Sequence, residues 1–136
     1  MVLDTNLLLA SVARTSPHRW LFDAVLDGRL DLCVSTEILL EYEEVLGERS
    51  SPAVSANVLR TIGLLPGSVR VEPAYRWRLV GADPDDDKSV DAAVAANASA
   101  IVTHDAHFGA LAHVAFPRVE VLSADEPEKV LTAPLP

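Results

Sequence analysis

Apolar positions along the chain fall into short continuous runs that alternate with stretches of helical spacing. Val2-Leu3 is a brief apolar run closed by Asp4. The next signal is Ser16-Pro17, which predicts a helix start with Ser as cap and Pro in the first turn. Trp20, Leu21, Ala24 and Val25 follow at helical spacing, and Gly28 ends that helix. Leu32-Cys33-Val34 reads as a second strand. Ser35 or Thr36 then caps a helix bearing Ile38, Leu39, Tyr42, Val45 and Leu46, with Gly47 as its stop. Residues 51–65 read as a helix and Val69-Arg70-Val71 as a weak strand. Residues 87–98 are Ala-rich and helical. Ala100-Ile101-Val102-Thr103 is the clearest strand, followed by a helix from Asp105 to His113. Val119-Glu120-Val121-Leu122 is the last strand, and a short helix near 124–131 follows it.

Strands that alternate with helices, each strand short and apolar, predict an α/β domain whose mainly parallel sheet of about five strands is covered on both faces. In such sheets ligands sit beyond the carboxyl ends of the strands. Residues just after strands are therefore the first place to look for chemistry.

Composition narrows the range. The 136 residues fit one domain, and 49% hydrophobic content is enough for its core, built mostly from Leu, Val and Ala because aromatics are 5%. Twenty acids against 11 bases give a net charge of −9. A protein that coats nucleic acid carries a basic footprint instead, although an enzyme that holds nucleic acid through metal ions does not need one. The lone cysteine, Cys33, excludes an intramolecular disulfide and any multi-Cys metal site. No apolar run approaches the ~20 residues of a membrane span. Asp4 precedes the first positive charge, Arg14, so no secretory leader is expected and a soluble cytoplasmic protein is the expectation.

The acids carry the chemistry. Asp4 follows the first strand and Asp105 the clearest one, so both map to the carboxyl edge; each could equally cap the next helix. Glu41 lies on the border of its helix's apolar face, from which it can reach a cleft or turn to water. The run Asp83-Pro84-Asp85-Asp86-Asp87-Lys88 crowds four carboxylates into five positions. One acid satisfies a helix N-terminus; several repel one another unless a cation is present. Asp87 and Asp91 share the face of Val90 and Val94 and lean towards the domain, while Lys88 points elsewhere. If these acids converge on one rim, they require a cation or protonation. Oxygen ligands alone select a hard ion such as Mg²⁺ or Mn²⁺.

Other chemistries fit less well. Neither a phosphate-binding Gly-rich loop nor a dinucleotide fingerprint is present, and there is no Ser nucleophile elbow. His104 and His107 flank Asp105, but their spacing is weak support for zinc, and exposed histidines are the simpler reading; Cys33 reads as core. Asp4-Thr5-Asn6 lacks the second Asp, two residues on, of the aspartyl-phosphate phosphatases. A phosphoacceptor domain would need an acidic pair near the first strand and a Lys at a late strand end.

Taken in order, Leu3-Asp4-Thr5-Asn6, Ser35-Thr36-Glu37-Ile38-Leu39-Leu40-Glu41-Tyr42, Asp83-Pro84-Asp85-Asp86-Asp87-Lys88 and Ile101-Val102-Thr103-His104-Asp105 resemble the PIN-domain nucleases. Within these, the nearest likeness is to the bacterial toxin components of toxin–antitoxin systems, VapC-like in the broad sense. The resemblance spans residues 2 to about 131 and treats 1–136 as a single domain. It implies a three-layer α/β/α sandwich and a Mg²⁺- or Mn²⁺-dependent ribonuclease.

The family's first acid falls on Asp4, its helical Glu on Glu41, the acid opening the helix before the fourth strand on Asp87, and the acid after that strand on Asp105. These four are the implied catalytic and metal-binding residues. Asp91 matches an auxiliary acidic position, and Asn6 and Thr103 match supporting polar positions. His104 departs from the group, which usually has a small residue there. The first strand is short, with three residues ahead of Asp4, and is expected either to begin upstream or to be weakly anchored.

The resemblance also implies an RNA substrate and a cognate antitoxin that silences the site, and it leaves a homodimer open. Metal held by Asp4, Asp87 and Asp105 would activate water and neutralise phosphate, with Glu41 orienting water or completing a second site. Arg14, Arg19 and Arg49 are candidate phosphate contacts. The competing reading is a non-catalytic metal- or protein-binding module that acts through complex formation. On the nuclease reading the four carboxylates should lie within roughly 10 Å of one another, the span of one or two carboxylate-bound ions.

Overall fold

The computed structural model of the chain describes residues 1–65, 67–73, 76–77, 84–103 and 119–132. Strand β1 (Val2–Leu3) leads directly into helix α1 (Thr5–Val12), and α2 (Arg19–Leu26) follows. Strand β2 (Leu32–Val34), helices α3 (Thr36–Arg49) and α4 (Pro52–Leu64) and strand β3 (Ser68–Arg70) come next. Helix α5 (Pro84–Ala95), strands β4 (Ile101–Val102) and β5 (Val121–Leu122) and helix α6 (Pro127–Thr132) complete the order.

Among the described residues every strand pairing is parallel, as the alternation predicts. The single sheet of about five strands is not what forms. A three-stranded sheet, β1-β4-β5 in that spatial order, stands beside a two-stranded one, β2-β3. The two meet at Met1, whose N-terminal ammonium donates to Asp31 C=O at 2.6 Å and whose C=O accepts from Cys33 N–H at 2.7 Å. The physical reason is that β1 has no further group to offer β2 beyond Met1, because Leu3 C=O accepts from the Tyr42 hydroxyl at 2.6 Å instead. β1 is nonetheless well anchored. Val2 N–H donates to Ala100 C=O at 3.0 Å, Asp4 N–H donates to Val102 C=O at 3.1 Å, and Met1 to Leu3 are buried.

Successive strand residues face opposite sides of a sheet, so complete burial of β1, β2 and β4 means that both faces are covered. Helix α5 covers β1, β2 and β4, and α3 packs against α1, α4 and α5. The core is aliphatic, with Leu3, Leu7, Leu8, Leu21, Leu32, Ile38, Ile62 and Ile101 fully buried and Tyr42 the one large ring among them.

The helix boundaries show where local signals act. Ser35 accepts from Ile38 N–H at 3.2 Å, one of the two N-caps expected for α3, and Ser51 accepts from Val54 N–H at 3.1 Å and caps α4. Ser16 accepts from His18 N–H at 3.1 Å, but this closes a turn, and α2 itself starts at Arg19. Gly28 adopts φ +76° and ends α2, as predicted. Gly47 does not end α3, which continues to Arg49; open space surrounds it, and a helix carries an isolated glycine at a cost of about 1 kcal/mol. Helix α1 fills a stretch where the pattern predicts no element. Leu7-Leu8-Leu9-Ala10 is an unbroken apolar run without helical gaps, and the buried stripe is completed by a polar residue, Ser11, whose hydroxyl donates to Leu8 C=O at 2.7 Å. No described helix is long and apolar enough to cross a membrane. The predicted helix at 105–113 lies outside the described residues.

Candidate functional site

The ends of β1 and β4 lie side by side, and Asp4 stands on the first of them. It occupies the N-cap position of α1, yet its side chain makes no capping hydrogen bond. Asp4 Oδ2 instead accepts from the hydroxyl of Thr103, just beyond β4, at 3.2 Å, and both residues are buried. The capping alternative for Asp4 is therefore not how its carboxylate is used.

Glu41 comes to the same rim from α3. Ile38, Tyr42 and Leu46 are the buried stripe of that helix, and Glu41 stands at its edge, as its position in the sequence predicts. The Thr5 hydroxyl, one residue after Asp4, donates to Glu41 Oε2, and Lys88 Nζ lies 3.6 Å from Glu41 Oε1. Beneath them Tyr42 donates from its phenol to Leu3 C=O at 2.6 Å. Burial first, and then the charges of Asp4 and Glu41, push the Tyr42 hydroxyl far above its ordinary pKa, so it stays a neutral donor.

Helix α5 runs back from β4, and its first turns therefore lie at the carboxyl edge. Asp91 is buried, and its Oδ1 accepts from Trp77 N–H at 3.0 Å. Burial raises its carboxyl above the ordinary aspartate range; the hydrogen bond from Trp77 opposes this, and the charge of Asp87 adds to it. Asp91 thus faces inwards, and Asp87, half-buried, lies near enough for its charge to act on it. Lys88 points away from the Asp87 and Asp91 face, as predicted, but into the domain and not to solvent. It sits about 100° round the helix from the direction of Asp87, and that flank faces α3, where Glu41 is. A pocket of about 50 Å³ opens beside it, lined by Ser35, Glu37, Arg76, Lys88 and Asp91 among others.

Thr103, expected as a supporting polar residue, donates to Asp4. Asn6 is exposed, and its neighbour Thr5 makes the contact to Glu41. Arg19 is no free phosphate ligand, since it pairs with Asp23 at 2.9 Å, donates to Val12 C=O and lies over the Phe22 ring at 5.0 Å, tying α2 to the end of α1. Thr5 and Lys88 are the site residues that sequence reasoning missed. Thr5 was signalled only by adjacency to Asp4, and Lys88 only by the proximity of two helices far apart in sequence. Asp105, His104, His107 and His113 lie outside the described residues.

Among the described residues no three His, Cys, Asp or Glu side chains are arranged to hold a metal ion. The donor chemistry nevertheless suits a hard divalent ion, because Asp4 and Glu41 present carboxylate oxygens at one rim and the hydroxyls of Thr103 and Thr5 orient them. The PIN domain family profile matches residues 1–107. The chain belongs to the PIN domain family. That makes this PIN domain an α/β module of the nuclease type, in a family whose members are generally metal-dependent nucleases. No curated protein matches the chain.

Proposed function

We propose that this PIN domain is a Mg²⁺- or Mn²⁺-dependent endoribonuclease and the toxin of a toxin–antitoxin pair. The observation that carries the reading is the treatment of Asp4, a buried carboxylate at a strand end that is spared from helix capping and aimed by Thr103 into the rim where Glu41 also stands. A carboxylate that ionises at such a place calls for a cation close by. Asp4, Glu41, Asp87 and Asp105 are the residues to hold one, with Asp91 and Thr103 in support. When bound, a divalent ion supplies an activated water and neutralises the phosphate of the RNA strand. The protein's own part is to fix the two carboxylates, through Thr103 and Thr5, and to keep Tyr42 neutral below them. The partner that silences the site is a basic antitoxin segment, because a chain of net charge −9 attracts it and Arg pairs bidentately with carboxylates.

The ion pair between Lys88 and Glu41 favours a second reading, a binding module without catalysis, since it already neutralises one of the two carboxylates. A panel of structured RNAs incubated with the purified protein, with Mn²⁺ or with EDTA, separates the two. Cleavage that EDTA abolishes and Asp4→Asn removes supports the nuclease. Intact RNA under all conditions leaves the binding module.

A further inference from the structure

We infer that Lys88 is the built-in counter-cation of Glu41, a positioning residue that a divalent ion must displace from the carboxylate before it can bind there. The inference rests on the metal-dependent reading above. Both oxygens of Glu41 are engaged, Oε2 by the Thr5 hydroxyl and Oε1 by Lys88 Nζ at 3.6 Å. The two contacts differ in kind. The first is a hydrogen bond from a short side chain fixed in α1. The second is longer than the ~2.7–2.9 Å of a charge-assisted hydrogen bond, so it holds by Coulomb attraction and not by a directed bond.

The pair is neither buried nor at the surface: the side chains are 17% and 21% exposed. The attraction is therefore stronger than in open water, while the ammonium still has solvent within reach. Lysine suits this arrangement because it is a strongly hydrated point charge on a flexible stem, which can withdraw into the adjoining pocket beside Ser35. An arginine would grip the carboxylate as a planar fork and yield less readily. The consequence for the metal-free protein is a rim whose Glu41 is compensated and held in place. The consequence for metal binding is competition, since every ion that takes Glu41 must first displace Lys88.

The test is titration of Mn²⁺ alone into the metal-free protein by calorimetry, for the parent, Lys88→Met, Lys88→Arg, Glu41→Gln and the Lys88→Met/Glu41→Gln double variant. Removing the competitor should tighten Mn²⁺ binding roughly three- to tenfold in Lys88→Met, the range between an exposed and a half-buried pair. Lys88→Arg should bind Mn²⁺ more weakly than the parent. With Glu41 already Gln, Lys88→Met should change affinity by less than about twofold, as expected when the effect is carried by that one pair. Mn²⁺ should also raise the Tm of Lys88→Met more than that of the parent.

A parent that binds Mn²⁺ while Lys88→Met binds it no more tightly overturns the role of Lys88 and leaves the metal-dependent reading standing. An equal gain in the Glu41→Gln background also overturns it. A parent that binds no Mn²⁺ overturns both readings together. Should Lys88→Met fail to fold, Lys88→Arg decides: affinity equal to or above the parent's rejects the inference.

Discussion

Thr103 donates a hydrogen bond from its hydroxyl to Asp4 Oδ2 at 3.2 Å, joining two strand ends 99 residues apart in the chain. The Asp4 carboxylate makes no capping bond to the first turn of α1, and this bond ties it to the end of β4. Asp4→Asn keeps the size and an acceptor oxygen for Thr103 but removes the charge. We predict a metal-free Tm equal to or above the parent's, because a crowded carboxylate is neutralised. RNA cleavage and the Mn²⁺-induced Tm shift should both be lost. Thermal melts with and without Mn²⁺, run beside a cleavage assay, check this, and a variant that cleaves at the parental rate removes Asp4 from the site.

Thr5→Val tests the other clamp. The two side chains are nearly isosteric, so the buried position is refilled, and the donor to Glu41 Oε2 disappears. Stability should change by no more than about 1 kcal/mol, the net value of one hydrogen bond. Mn²⁺ affinity should fall several-fold because Glu41 is no longer oriented. Calorimetry that finds parental affinity would show that Thr5 serves the fold alone.

Tyr42→Phe removes the phenol that satisfies Leu3 C=O. The ring still fills the core, but a buried carbonyl loses its donor, at a cost of about 1–2 kcal/mol. Urea unfolding should show the midpoint lowered with an unchanged slope. A midpoint that does not move would mean that solvent or another donor reaches that carbonyl.

Asp91 makes stability depend on pH. Its carboxyl is raised above 3.8 in the folded protein, chiefly by burial, so the folded state holds its proton longer than the unfolded chain. Below the unfolded value both states are protonated and the contribution is fully present. As pH rises through the carboxylate range the unfolded chain ionises first, and the contribution is lost by the time the folded carboxyl has ionised. Asp91→Asn keeps an acceptor for Trp77 N–H and removes this loss. In the metal-free proteins the stability of Asp91→Asn relative to the parent should therefore rise between about pH 4 and pH 7. A difference that is flat or falls with pH would contradict the burial of this carboxylate.

Much of the architecture is local and hence legible in one dimension. The short apolar runs became β1, β2, β4 and β5, Ser35 became a cap, and Gly28 became a helix stop through its positive φ, because each depends on residues within a turn or two of itself. The position of Asp4 at a strand end and of Glu41 at a helix border was likewise legible, since periodicity alone sets which way a side chain leaves its element. Tertiary structure decided the rest. Whether the strands share one ladder depended on what met Leu3 C=O, a tyrosine from α3 and not β2, which no period reveals. Whether Asp4 capped its helix or faced the rim depended on a threonine brought alongside by β4. Lys88 left its helix in the direction that periodicity assigned, but only the packing of α3 against α5 put Glu41 there. Amino-acid order settles where a side chain points along its own element, and long-range packing settles what it meets.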